Sequence, residues 1–227
     1  VGPSAIAFGG LPVPREMSIS DIEAVIDGFA RAAERALSAG FDTVEIHMAH
    51  GYLMHQFLSP LSNQRTDEYG GSLDNRMRLP LAVAAAVRGV WPQDRPIMVR
   101  ISSTDWVPGG WDLEQSIELV RRLTEYGVDL IDASSAGLHP DQQIPKDSDY
   151  QVVNAAAIKA QTGAHVAAVG LITDPAQAEA IIAEGKADAV FLARAMLRDP
   201  HWPLRAAHVL GDEVPWVTQY QRALPWP

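Results

Sequence analysis

Two histidines and a tyrosine fall within six residues in Glu45-Ile46-His47-Met48-Ala49-His50-Gly51-Tyr52. Two imidazole N–H groups that converge on one carbonyl or nitro oxygen polarise it, and a phenol beside them can deliver a proton. His47 and His50, joined by His55, could instead ligate zinc and serve a metal-dependent hydrolase. Against that stands the lack of a His-Glu-x-x-His helix and of any cysteine.

Arg100 lies inside Ile97-Met98-Val99-Arg100-Ile101, an apolar run suited to a strand buried on both faces. A guanidinium there needs an anion or an acidic neighbour, and Glu45 on the preceding strand is the candidate protein partner. Val169-Gly170-Leu171-Ile172-Thr173-Asp174-Pro175 sets a glycine after a strand, with a helix start close behind. Phe191-Leu192-Ala193-Arg194 ends the next strand with a cation. Loops after the last two strands of a (β/α)8 barrel, with a helix N-terminus, commonly bind phosphate. Such a pocket also suits a phosphate-binding barrel lyase or isomerase. That chemistry normally wants a Lys or Glu at a strand end, where this chain has no Lys and Glu45 is two residues short. The polar stretch 63–72 reads as a loop held together by its own charges, with no catalytic role.

His47, Arg100, Ser134, Ser135, Gly170 and Arg194 fall where strands stop. From Ser18, residues Ile22, Val25, Ile26, Phe29, Ala33, Ala36 and Leu37 recur at helical spacing, with Ser20 as candidate N-cap and Gly40 as the end. β-prone runs follow at 43–46, 97–102, 130–133, 165–169 and 189–193. Between them lie amphipathic helices at 112–126 and 151–162, and one from Asp174-Pro175 to Gly185. Alternating strands and helices predict βαβ units on a parallel sheet. No G-x-G-x-x-G follows a strand, so a TIM (β/α)8 barrel is the better reading than a dinucleotide-binding sheet. Eight units need about 250 residues; five are present. The expectation is therefore strands 4 to 8 of one barrel domain over 1–227, with strands 1 to 3 absent. Residues 1–17 read as a loop with neither an initiator Met nor a signal peptide, as if the chain were cut in mid-protein.

The chain has 227 residues and a net charge of -10, with a pI near 5.1. That balance argues against a broad grip on nucleic acid or an anionic membrane. The longest apolar stretch, 79–91, is broken by Arg88 and is too short to span a bilayer. Zero cysteines fit a reducing compartment, and the cytoplasm is the expectation.

The ordered run from Glu45 to Leu53, continuing through Phe57-Leu58-Ser59-Pro60, 63–71 and Asn75-Arg76, resembles the signature of the old yellow enzymes. These are FMN-dependent NAD(P)H oxidoreductases, and the likeness is to their thermophilic-like bacterial branch. It runs from Val1-Gly2-Pro3-Ser4 to Gln219-Tyr220-Gln221-Arg222. The resemblance implies FMN as cofactor, NADPH or NADH as reductant, and ping-pong reduction of activated alkenes: enones, enals, maleimides and nitroalkenes. It further implies that His47 and His50 hydrogen-bond the substrate oxygen and that Tyr52 protonates the α-carbon. Arg100 would lie beside the flavin N1 and O2 edge, and Gly170, Ala193 and Arg194 would cradle the phosphate. Ala193 departs from the pattern, since relatives commonly have Gly there; a positive φ would strain it. Trp216, Tyr220, Arg222 and Trp226 form a C-terminal tail rich in interface-type residues. By resemblance, the tail sits at the interface of a homo-oligomer, dimer or tetramer, with Arg222 reaching the neighbouring site.

Overall fold

The computed structural model describes residues 1–147 and 149–223. Helix α1 (Ile19–Ser38) starts at a capping box, in which the Asp21 N–H donates to Ser18 Oγ and the Ser18 N–H donates to Asp21 Oδ2 at 2.8 Å. The cap is thus Ser18 rather than Ser20: both serines have an acid three residues on, Asp21 and Glu23, and the reciprocal box is closed by Ser18 and Asp21. Strand β1 (Val44–Met48) follows, then the short α2 (Leu53–Leu58) and the long α3 (Leu73–Val90). Sequence periodicity does not reveal α3. Its buried residues include Met77, Leu79, Pro80, Leu81, Val83, Ala84 and Val87 on one broad face, but the opposite side carries Ala82, Ala85 and Ala86, so the apolar stripe does not stand out in the sequence.

The remaining units are β2 (Ile97–Ser102) with α4 (Leu113–Glu125), β3 (Leu130–Ser134) with α5 (Val152–Thr162), and β4 (Val166–Val169) with α6 (Pro175–Ala183). Last come β5 (Ala189–Phe191), α7 (Arg194–Arg198), α8 (Trp202–Leu210) and a 3-10 turn at Thr218–Ala223. Asp112 and Asp174 cap their helices through side-chain oxygens, and Pro175 takes the first turn, where it loses no helical bond. β5 ends two residues earlier than expected, so Arg194 opens a helix instead of closing a strand.

All five strands are parallel, in the order β1-β2-β3-β4-β5. Among the described residues, β1 and β5 each have one strand neighbour. The pleat sorts side chains to two faces. Ile46, Met48, Val99, Ile101, Ile131, Ala133, Val166 and Ala168 belong to the hydrophobic core. The register aligns His47 with Arg100 and Arg100 with Asp132, so one row on the other face carries the polar side chains. No helix among the described residues is long and apolar enough to cross a membrane.

Candidate active site

The chain turns sharply after β1. His50 and Gly51 both have positive φ, 57° and 73°, a conformation costly for a residue with a Cβ. Two captured amides hold it. The His50 N–H donates to Ser102 Oγ at 2.9 Å, and that hydroxyl donates to the Ala136 carbonyl at 2.8 Å. The Gly51 N–H donates to His55 Nδ1 at 3.0 Å. The corner after β3 interlocks with this one: Gly137 has φ 96°, and a Cβ there would lie 2.6 Å from His50 Cα. A Cβ on Gly51 would lie 2.2 Å from the Gly137 carbonyl oxygen. Only glycine fits either position.

This corner gathers the three residues that the sequence singled out. The His47 ring lies 5.2 Å from that of His50 and 5.4 Å from that of Tyr52, centroid to centroid. Tyr52 is 64% exposed, so its ring is open to an incoming molecule. His55 does not join them. It is fully buried, with Nδ1 bound to the Gly51 amide and Nε2 2.8 Å from Asp105 Oδ1. Ser59 Oγ and the Trp111 N–H in turn donate to Asp105 Oδ2 at 2.6 and 2.7 Å. Both His55 nitrogens are therefore engaged in holding the corner, and the metal set of His47, His50 and His55 is not assembled. No cluster of three metal-ligating His, Cys, Asp or Glu residues occurs among the described residues.

Burial, with Arg100 next in weight, pushes the His50 imidazole down to about 4 and also lowers His47. Both are thus neutral at pH 7, and each can offer one N–H. Arg100 pairs with Asp132 rather than with Glu45, its Nε lying 3.1 Å from Asp132 Oδ2. Register explains the choice: Asp132 lies level with Arg100, whereas Glu45 is level with Met98, one row below. Asp132 is fully buried, and that desolvation raises its carboxyl to about 7; Arg100 opposes the shift and Glu45 adds to it. Sequence reasoning missed Asp132, although an acid within the apolar run Leu130-Ile131-Asp132-Ala133 was a usable signal.

A cavity of about 360 Å³ opens at the strand ends, lined among others by His50, Arg100, Ser134, Gln151, Gly170 and Arg194. Arg198 adds a third guanidinium, and among the described residues the lining holds no carboxylate. In a chain of net charge -10, this concentrates positive potential where an anion would sit. Gly170 has φ 108°, and a Cβ there would meet Gln151 Nε2 at 2.2 Å. Gln151, the second residue that the sequence did not reveal, donates to the Val169 carbonyl at 2.6 Å and accepts from Ser135 Oγ at 2.7 Å. The positive φ that would strain Ala193 is absent, its φ being -101°.

Consecutive βα units with an arginine-lined cavity at the strand ends define a barrel-type protein whose cavity suits an anion. The chain belongs to the NADH:flavin oxidoreductase / NADH oxidase family, whose profile matches residues 3–213, and so to the old yellow enzyme group that it resembles. It is 47% identical over 223 residues to an NADPH dehydrogenase of Geobacillus thermodenitrificans, covering 98% of this chain and 65% of that one. An NADPH dehydrogenase of Bacillus subtilis is 46% identical over 222 residues, with 97% and 64% covered. The chain thus spans just under two thirds of the length of these relatives. Among solved structures, a 2-naphthoyl-CoA reductase superposes with TM-score 0.84 at 29% identity, over 93% of this chain and 33% of that one. Morphinone reductase gives 0.76 at 27% identity, over 95% and 60%. The five units are therefore part of a TIM barrel. FMN is the cofactor of the family, with NADH or NADPH as reductant. The residues present fit it: guanidinium groups at Arg194 and Arg198 beside Gly170 for a phosphate, and Arg100 level with His47.

Proposed function

We propose that the protein carrying this chain is an ene-reductase, an FMN-dependent NAD(P)H oxidoreductase that reduces activated C=C bonds in enones, enals, maleimides and nitroalkenes. The observation that carries this reading is a neutral histidine pair and an exposed tyrosine beside an arginine-lined cavity. FMN, when bound, supplies the hydride acceptor and donor for two half-reactions in ping-pong order. Gly170, Ala193 and Arg194 would hold its phosphate, and charge-assisted bonds make that hold strong. Arg100, kept in place by Asp132, would face the edge that gains negative charge. His47 and His50 donate to the carbonyl or nitro oxygen of the alkene, where charge develops. Tyr52 delivers a proton to the α-carbon from the open side of the site.

A second part of the proposal concerns assembly. Tyr220 packs its ring edge-on to His201 at 5.3 Å, which fixes part of the tail on its own subunit, while Arg222 stays exposed. The exposed Arg222 is free to reach a neighbouring site in the homo-oligomer that we propose; Trp226 lies outside the described residues. The cysteine-free composition supports a cytoplasmic location.

The reading is tested by the double substitution His47→Ala with His50→Ala. We expect unchanged flavin content and a loss of roughly 10²-fold or more in alkene reduction, since two donors to a developing charge are removed. Unchanged enone turnover would refute the assignment.

A further inference from the structure

Ser134, at the end of β3, stands between His50 and Gln151 with one hydroxyl proton to give. Its Oγ is 2.7 Å from His50 Nε2 and 3.3 Å from Gln151 Oε1. The carboxamide of Gln151 has a fixed orientation. Its Nε2 donates to the Val169 carbonyl at 2.6 Å, so Oε1 must face the serines, where Ser135 Oγ already donates to it at 2.7 Å. Hydroxyl donors bond best at about 2.5–3.0 Å. The 2.7 Å contact to His50 has the better length for the Ser134 proton than the 3.3 Å contact to Gln151, and it takes that proton when Nε2 is the acceptor.

We propose, building on the function given above, that Ser134 is a positioning residue that donates to His50 Nε2 and so keeps the His50 proton on Nδ1, the nitrogen left for a ligand. A neutral imidazole has a single N–H, and the bond made by one nitrogen decides which carries it. With the proton on Nε2, His50 would spend its donor on Ser134 and turn a lone pair toward the substrate oxygen. The backbone of His50 is already fixed through Ser102, which is the register partner of Ser134 on the adjacent strand. Two paired serines thus hold His50 at both ends: Ser102 sets where the ring is, and Ser134 sets which atom bears the proton.

The test is long-range ¹H–¹⁵N correlation NMR of the FMN-loaded protein labelled with ¹⁵N-histidine, with no substrate present. The His50 signals are identified by their loss in His50→Ala. The expected result is a protonated Nδ1 and an accepting Nε2 on His50. Ser134→Ala should move the proton toward Nε2 and weaken binding of a phenolic ligand roughly 10-fold, the worth of one hydrogen bond. Ser134→Thr, which keeps the hydroxyl, should restore both. A wild-type His50 protonated on Nε2 overturns the proposal even if no variant folds, and so does an unchanged tautomer in Ser134→Ala. Neither result touches the ene-reductase reading, which stands or falls on turnover of the double histidine variant.

Discussion

Asp132 and His50 show how single residues here combine position with an altered charge state. The Asp132 carboxyl titrates near 7 in the fold and near 3.9 in an unfolded chain. Between those values the folded state holds a proton that the unfolded state has lost, so this group costs stability as pH rises from about 4 to about 7. His50 acts in the opposite sense. Its folded value near 4, against about 6.5 unfolded, gives a contribution that is present above 6.5 and lost as pH falls toward 4. The two slopes oppose each other in the wild type, and Asp132→Asn separates them. We expect the variant to gain stability relative to wild type progressively from pH 4 to 7, then by a constant margin above 7, in urea midpoints. Parallel profiles for the two proteins would mean that Asp132 is ionised throughout. At this scale the sequence reveals those residues whose type announces chemistry: His47, His50, Tyr52, Arg100, Gly170 and Arg194. Asp132, Ser102 and Gln151 act only through the neighbours that register and the loop corners bring to them. Ser102 and Gln151 carry no message in their types until the strands are aligned, whereas Asp132 stands out as an acid in an apolar run without naming its partner.

The elements position the site by interlocking two corners. Gly137 at φ 96° has His50 backbone where a Cβ would go, whereas Gly71 at φ 79° faces open space. Gly137→Ala should therefore cost roughly 2–4 kcal/mol, combining backbone strain with overlap that rigid main chain cannot relieve. Gly71→Ala should cost only about 1 kcal/mol, from strain alone. Equal costs in chemical denaturation would show that the corners do not depend on each other. The helix, glycine, strand rhythm of the chain was readable because each element ends at a residue with a fixed conformational role. Gly163 and Gly185, both with positive φ, are examples. α3 escapes because Ala82, Ala85 and Ala86 on its outer side blur the contrast with its buried face, and the α1 cap shifts by two residues because Ser18 and Ser20 each have an acid three residues on.

For the whole molecule, the five parallel strands and their order follow from alternation alone, while the proposed assembly would depend on groups outside any strand. Deletion of 217–227 should shift the mass toward monomer by light scattering and alter substrate affinity, if Arg222 serves a neighbouring site. A truncated protein of unchanged mass and kinetics would confine the tail to its own subunit. In the proposed function, labour divides between an arginine-lined cavity that would take a phosphorylated cofactor and a histidine–tyrosine corner that would take the substrate. The direct test is the visible absorbance spectrum after exhaustive dialysis, recorded for wild type, Arg194→Ala and Tyr52→Phe. The account predicts a flavin band in wild type and in Tyr52→Phe, bleached by NADPH in both, and its loss from Arg194→Ala. A wild-type protein without flavin, or equal retention by the two variants, would contradict it.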